Sequence, residues 1–140
     1  MKVLVSGSHG LVGKALTHSL TDDGHEVVRL VRREHDFGSP EVEWYPDQGR
    51  IDAQHLEGID AVVHLAGENI AAGRWTTQKK RTIRESRVQG TTLLSDTLAS
   101  LSRSPSVFIS ASAIGFYGNR GDDLLTEKSP PGNDFLAKVC

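Results

Sequence analysis

The stretch VSGSHGLVG, from Val5 to Gly13, decides the fold of this chain. It places three glycines, Gly7, Gly10 and Gly13, between the apolar run Lys2–Ser6 and a helical pattern. The run before the glycines is typical of a buried strand, and the spacing after them is typical of an amphipathic helix. A glycine-rich turn in this context predicts a loop that holds the phosphates of a dinucleotide. A tight turn without a ligand is the alternative.

Each glycine of this loop has a predicted role. Gly7 allows the tight turn, Gly10 lets the backbone approach a pyrophosphate, and Gly13 lets the helix pack closely on the sheet. The free N–H groups at the start of the helix, around Gly10, Leu11 and Val12, would then face the anion.

Short apolar runs recur along the chain and alternate with helical patterns. Helical spacing follows the glycine loop as far as Gly24, and a longer helical stretch extends from about Thr76 to Ser102. This alternation is typical of βαβ units, so we predict a Rossmann-like, doubly wound parallel α/β sheet of about five strands. The polar stretch His35–Pro40 is predicted to be a loop. The predicted strands are Lys2–Ser6, Glu26–Arg32, Glu41–Tyr45, Asp60–Leu65 and Ser106–Ser110.

Composition restricts the classes of function. The chain has 140 residues, a length typical of one domain, and its formal charge of −2 gives no reason to expect nucleic acid as a partner. No apolar run approaches the ~20 residues of a membrane span, so no membrane partner is expected. The single cysteine, Cys140, indicates a reducing compartment, and we expect a cytoplasmic protein. The six histidines show no metal-ligand spacing, and no metal site is predicted.

The residues after the second predicted strand bear on the choice of dinucleotide. An acidic residue usually stands there in NAD-selective folds, where it bonds the ribose 2′-OH. Here Arg32 and Arg33 occupy the place, and the first carboxylate is Glu34. Guanidinium groups suit a 2′-phosphate, so the sequence favours NADP over NAD. Solvated loop arginines are the alternative, and His9 could equally approach a phosphate or face solvent.

Three motifs together resemble the extended short-chain dehydrogenase/reductases: the glycine loop, DAVVHLAG at Asp60–Gly67 and SASAIGFYG at Ser110–Gly118. The stretches HLAGENI, GRWTTQKKRTIRESRVQGT and FYGNRGDDLLTEKSPPGNDFLA narrow the resemblance to the atypical epimerase family proteins of the NAD-dependent epimerase/dehydratase family. Members of this family are often described as nucleoside-diphosphate-sugar epimerases and are about twice this length. We therefore expect residues 1–140 to be an N-terminal NAD(P)-binding domain that lacks the C-terminal half and its substrate-binding part.

The resemblance also implies roles for residues beyond the glycine loop. Ser112 matches the catalytic serine that hydrogen-bonds the reacting oxygen. Glu68 and Asn69 follow the fourth predicted strand, where they could contact nicotinamide or substrate, or cap the next segment. Residues expected to line the cofactor are Leu65, Ala66 and Gly67 after the fourth strand, and Ser110 and Ala111 at the nicotinamide end.

The sequence departs from the family pattern where proton transfer is expected. The usual Tyr-x-x-x-Lys is replaced by FLAKV, so Phe135 and Val139 stand at the two positions, and phenylalanine has no proton to give. Arg87 stands where an asparagine is usual, either to orient a substrate anion or to form an ion pair. Tyr117 is a candidate acid because it is close in sequence to Ser112; packing in a loop is the alternative.

Two functions remain open from the sequence. The first is an NADP-dependent, epimerase-like oxidoreductase acting on a hydroxyl or carbonyl substrate, with a nucleotide sugar as one candidate. The second is a catalytically inactive NADP(H)-sensing or regulatory protein, which Phe135 and Val139 favour. We also expect that copies of the chain can associate through the exposed edge of the fifth strand.

Overall fold

The computed structural model describes residues 1–32 and 40–140. Arg33 and most of the predicted loop His35–Pro40 therefore lie outside the described residues. The described chain forms two compact units, Met1–Ser110 and Ala111–Cys140. None of the described helices is both long enough and apolar enough to cross a membrane.

A six-stranded sheet organises the first unit. Its strands lie in the order β4-β3-β2-β1-β5-β6, and all neighbours pair in parallel except the short β4, which is antiparallel to β3. The predicted Rossmann-like parallel sheet is confirmed, with β4 as an addition to the five expected strands. The strands are β1 (Lys2–Ser6), β2 (Glu26–Val31), β3 (Glu41–Tyr45), β4 (Arg50–Ile51), β5 (Ala61–His64) and β6 (Val107–Ser110).

Two helices connect strands of this sheet. Helix α1 (Leu11–Asp22) follows the glycine loop and packs against β1 and β2. Helix α2 (Thr77–Ala99) links β5 to β6, and it begins at an N-cap where Thr76 Oγ1 accepts the Lys79 N–H at 3.1 Å. Its buried residues recur at helical spacing, as the sequence predicts. They are Ile83, Gly90, Leu94 and Leu98.

The core lies between the sheet and α2. Leu4 of β1 and Val62 of β5 are fully buried and belong to one apolar cluster with Leu94 and Leu98 of α2. Trp44 of β3 belongs to the same cluster and lies beneath the helix, because a Cβ on Gly90 would come within 3.2 Å of its ring. The helix can approach the sheet this closely only because position 90 carries no side chain.

Strand β6 forms one edge of the sheet. All four of its residues are exposed, and Val107, Phe108 and Ile109 leave 40–54 % of their surface accessible. This is the edge at which association of copies is expected, and that association stays a prediction.

The second unit contains a 3₁₀ turn at Ile114–Tyr117 and helix α3 (Phe135–Val139). The chain doubles back so closely that a Cβ on Gly132 would meet Gly118 Cα at 2.8 Å. Arg120 links these two segments, because its guanidinium donates hydrogen bonds to the carbonyls of Tyr117 and Pro130, each at 3.0 Å.

Candidate functional site

A cleft of about 920 Å³ opens at the carboxyl ends of β1, β2, β3 and β5. This is the edge at which open parallel α/β sheets bind their ligands. Eight residues predicted from the sequence line it: Gly7, His9, Gly10, Arg32, Leu65, Ala66, Gly67 and Glu68. The structure therefore brings the glycine loop, the end of β2 and the HLAGE segment together around one space.

The glycine loop is shaped by backbone contacts that exclude side chains. Gly7 has a φ of +68°, and a Cβ there would lie 2.8 Å from the Leu65 carbonyl group, so the loop touches the end of β5. A Cβ on Gly13 would lie 2.2 Å from the Gly7 carbonyl oxygen. Gly13 thus packs against the backbone of the loop itself. Both contacts require glycine because the opposing atoms are backbone.

The start of α1 places backbone N–H groups beside this cleft. Its N-cap, Gly10, has no side chain to accept a hydrogen bond, and the Gly10 N–H is bound to the Gly7 carbonyl at 3.0 Å. The N–H groups of Leu11, Val12 and Gly13 lie in the first turn, where a helix supplies them no partner. The Leu11 and Val12 side chains are 91 % and 63 % exposed and do not line the cleft.

A buried hydroxyl joins β1 to the segment after β5. Ser6 Oγ accepts the N–H groups of Leu65 at 3.1 Å and Ala66 at 3.2 Å, and it lies 2.6 Å from His64 Nδ1. Burial lowers the pKa of His64. The cleft wall formed by Leu65 and Ala66 is therefore fixed from beneath by β1.

The Gly67–Glu68 backbone is held by α2. Arg87 Nη1 donates to the carbonyls of Glu68 at 3.2 Å and Ile83 at 3.1 Å, and a Cβ on Gly67 would lie 3.0 Å from the guanidinium carbon. Ser86 Oγ accepts the Glu68 N–H at 3.0 Å, and the Glu68 carboxylate pairs with Lys79. In this structure Arg87 supports the cleft wall through backbone carbonyls. Asn69, next along, closes a local turn by accepting the Ala71 N–H at 2.8 Å.

Sequence reasoning missed one side of the cleft. The end of β3 and the first half of α2 also line it, and the end of β3 could have been found because all parallel strands end at the same edge. The α2 contribution depends on how the helix crosses the sheet, which no local pattern reveals. The missed residues are Leu30, Val31, Trp44, Tyr45, Pro46, Asp47, Thr82, Glu85, Ser86 and Gln89.

The predicted catalytic residues belong to the second unit. Ser112 precedes the 3₁₀ turn, and Tyr117 ends the turn with its ring edge-to-face on Phe116 at 5.2 Å. Phe135 is the first residue of α3 and Val139 the last. Ala111 opens this unit, and Ser110 is the last residue of β6.

A parallel sheet with a glycine loop between β1 and α1, and a cleft at the carboxyl edge, defines a Rossmann-type nucleotide-binding domain. The chain belongs to the NAD dependent epimerase/dehydratase family, whose model matches residues 3–137. The expected resemblance is thereby confirmed.

Relatives and solved structures agree with this assignment. An epimerase family protein of Mycobacterium bovis is 41 % identical over 138 residues, which are 99 % of this chain and 45 % of the relative. The structure of human epimerase family protein SDR39U1 with NADPH has a TM-score of 0.86 at 29 % identity, covering 99 % of this chain and 46 % of the human one. A nucleoside-diphosphate sugar epimerase from Corynebacterium glutamicum has a TM-score of 0.82 at 45 % identity, covering 100 % of this chain and 28 % of the other. The chain thus spans about half the length of the curated relatives it matches.

Proposed function

We propose that residues 1–140 form the NADP(H)-binding domain of an epimerase- or dehydratase-like oxidoreductase. The observation that carries the proposal is the cleft, because its glycine loop, strand ends and helix start converge on a single space of dinucleotide size. The region that binds substrate in the longer relatives would be supplied by sequence beyond these residues. Cys140 is exposed and free, in keeping with the expected cytoplasmic location.

The glycine loop fits a pyrophosphate. A Cβ at Gly7 or Gly13 would collide with backbone, so these two positions fix the loop close to the end of β5 and to the first turn of α1. The N–H groups of that turn carry the positive end of the helix dipole, which favours a bound anion. Gly7 and Gly10 line the cleft beside them.

The preference for NADP rests on Arg32. This residue follows β2, is exposed and lines the cleft, where a guanidinium group could hold a 2′-phosphate in bidentate fashion. Arg33 lies outside the described residues and is proposed as a second contact from the sequence alone. The human relative is bound to NADPH, and a short-chain dehydrogenase/reductase superfamily protein from Agrobacterium tumefaciens is bound to NAD, so the preference rests on the arginines.

Calorimetric titration of the chain with NADPH and NADH tests the cofactor proposal. Arg32→Ala should weaken NADPH binding by about tenfold to a hundredfold, since a charge-assisted hydrogen bond contributes about 1.5–3 kcal/mol, and should leave NADH binding unchanged. Arg84→Ala removes the same charge from an exposed position of α2 outside the cleft and should affect neither ligand. Equal affinity for both dinucleotides in the wild-type chain, insensitive to Arg32→Ala, would refute the NADP preference.

In the whole protein, the bound nicotinamide would exchange a hydride with a hydroxyl or carbonyl carbon of the substrate. Ser112 is proposed to hydrogen-bond the reacting oxygen, and Tyr117 to hold or donate the proton that this oxygen exchanges. A nucleotide sugar is the proposed substrate class, in keeping with the name of the Corynebacterium relative. The proposed partner is therefore a small molecule.

A second function, NADP(H) sensing without catalysis, is favoured by one observation. Helix α3 begins with Phe135 and ends with Val139, and neither side chain can transfer a proton. Nicotinamide absorbance, followed in the full-length protein with a panel of carbonyl compounds and nucleotide sugars, separates the two functions. Turnover that is lost in Ser112→Ala and kept in Ser102→Ala supports the enzyme, and tight NADPH binding without turnover supports the sensor.

A further inference from the structure

The hydrogen bonds around Ser6 favour one placement of the protons of this buried group. Ser6 Oγ has three neighbours within hydrogen-bond distance: two backbone N–H groups, of Leu65 and Ala66, and His64 Nδ1. The two N–H groups can only donate, so the oxygen accepts from both, and the Leu65 N–H also reaches the Ser6 carbonyl oxygen at 3.3 Å. A hydroxyl has one proton of its own, and the remaining partner for it is Nδ1.

This arrangement determines the state of the imidazole. Nδ1 can accept the Ser6 proton only when it carries no proton itself, and with that bond formed the ring is neutral with its proton on Nε2. A charged His64 would present an N–H at Nδ1 and would compete with the Leu65 and Ala66 N–H groups for the Ser6 lone pairs. Protonation of the ring therefore displaces at least one bond that holds the cleft wall.

The surroundings of His64 oppose that protonation. The ring is 3 % exposed, stands edge-on to Trp44 at 5.8 Å between centroids, and lies 6.3 Å from Phe108. Gly90 of α2 lies above it, and within the described parts of the chain Nε2 has no hydrogen-bond partner. Burial among groups that carry no charge lowers the pKa of His64.

Three charged side chains on the elements packed around this ring bind other groups. Lys2 on β1 pairs with Glu26, and Glu43 on β3 accepts a hydrogen bond from Tyr45. Arg87 on α2 donates to two backbone carbonyls. The β6 segment Val107–Ser110 carries no ionisable side chain. Among the described residues, the contacts of the buried ring are with Ser6, Trp44, Phe108 and Gly90, and none of these side chains is charged.

We propose that His64 is a positioning residue for the nucleotide cleft. Its neutral Nδ1 accepts the Ser6 proton, and the Ser6 oxygen in turn fixes the backbone of the wall that a dinucleotide would contact. The proposal rests on the proposed function, because it assigns His64 an effect on nucleotide binding. It follows that binding weakens in acid as His64 becomes charged.

The first test needs neither a ligand nor a variant. Nitrogen-15 NMR of the histidine side chains, recorded on the wild-type chain across the acid range, reports the tautomer and the charge of His64. We expect the Nε2–H form at neutral pH, with protonation only below the ordinary histidine value of 6.5. The protection factors of the Leu65 and Ala66 amides, which correct for the slower intrinsic exchange in acid, should fall over the same range. An Nδ1–H tautomer, or a charged ring at neutral pH, would overturn the proposal.

The second test uses a pair of variants of nearly equal shape. His64→Asn places its side-chain oxygen where Nδ1 stands, so it can accept the Ser6 proton but cannot titrate, whereas His64→Leu has neither property. His64→Leu lacks the acceptor, so it should bind NADP⁺ about fivefold more weakly than the wild-type chain at neutral pH. This factor corresponds to the loss of about one net hydrogen bond. His64→Asn should recover most of this loss. Both variants lose the same ring contacts with Trp44, so the difference between them isolates the acceptor.

Acid dependence completes the test. The 2′-phosphate of NADP⁺ itself titrates near pH 6, so affinity is expected to depend on pH in every variant. The test therefore compares the pH dependence of the wild-type chain with that of His64→Asn. Wild-type affinity should fall more steeply towards acid than that of His64→Asn. Identical slopes, or equal affinities of His64→Asn and His64→Leu, would overturn the positioning role. Failure of the wild-type chain to bind NADP⁺ would overturn the proposed function, and the NMR result distinguishes the two failures.

Discussion

Gly13 provides the sharpest test of the glycine loop. An alanine Cβ at this position would lie 2.2 Å from the Gly7 carbonyl oxygen and 2.8 Å from Ser8 Cα. To restore ordinary van der Waals contact the carbonyl would have to retreat by about 1 Å, and it cannot rotate away as a side chain could. Overpacking of this kind costs up to about 3 kcal/mol, and the better helix propensity of alanine offsets about 1 kcal/mol. The expected net loss for Gly13→Ala is therefore about 2 kcal/mol.

Urea denaturation measures this loss directly. With a slope of about 2 kcal/mol per molar urea, typical of small domains, the midpoint of Gly13→Ala should fall by about 1 M. Gly10→Ala is the matched control, because its Cβ would meet the same Gly7 oxygen at 3.3 Å, a distance that a few tenths of an ångström of movement relieves. It should lose less than about 1 kcal/mol. Wild-type stability in Gly13→Ala, or equal losses in both variants, would refute the argument that this loop is fixed by backbone contact.

Two further predictions concern stability away from the cleft. Thr76→Ala removes the N-cap of α2 and should lower the free energy of unfolding, measured in urea, by about 1 kcal/mol. Thr76→Ser keeps the hydroxyl, so its free energy of unfolding should stay within a few tenths of a kcal/mol of the wild-type value. Equal losses in the two variants would contradict the role of the cap. The Lys2 N–H and the Arg103 guanidinium, both 2.8 Å from the Asp60 carboxylate, lower the pKa of Asp60 from 3.8. Because the folded pKa lies below the unfolded one, this stabilisation is present above about pH 4 and is lost as the pH falls through the folded value. Asp60→Asn should therefore be less stable than the wild-type chain at neutral pH, and its free energy of unfolding should fall less as the pH is lowered. Parallel plots of unfolding free energy against pH for the two proteins would contradict this.

Features that depend on local pattern could be predicted from the sequence. The buried face of α2 follows from the spacing of Ile83, Leu94 and Leu98, and its cap follows from a threonine at the start of the pattern. Strand boundaries shifted by a residue: β2 ends at Val31, and β5 covers Ala61–His64. Hydrogen bonding between neighbouring strands sets these ends, and side-chain type does not reveal it.

Features that depend on the path of the chain could not be predicted. Strand β4 has two residues, too few for any periodicity, and it exists because a tight turn brings Arg50 and Ile51 back onto Tyr45 and Trp44. Arg87 shows the same limit in the site. Its charge predicts an anion or a carboxylate as its partner, but the crossing of α2 over β5 places its guanidinium against the Gly67–Glu68 backbone.

The proposed nucleotide binding and the proposed proton transfer place different demands on the sequence. The cleft depends on backbone geometry, so it requires glycine at positions 7 and 13, where any Cβ meets backbone atoms closer than 3 Å. Proton transfer depends on a titratable side chain. Helix α3 begins at the Asp134 cap, which accepts the Ala137 N–H at 2.9 Å, and it carries Phe135 and Val139 at the two positions in question. The requirement to fold would therefore preserve Gly7, Gly13 and the Asp134 cap, but it would not preserve a side chain that donates a proton. It follows that nucleotide binding and turnover have to be measured separately, since the first can be intact in a protein that lacks the second.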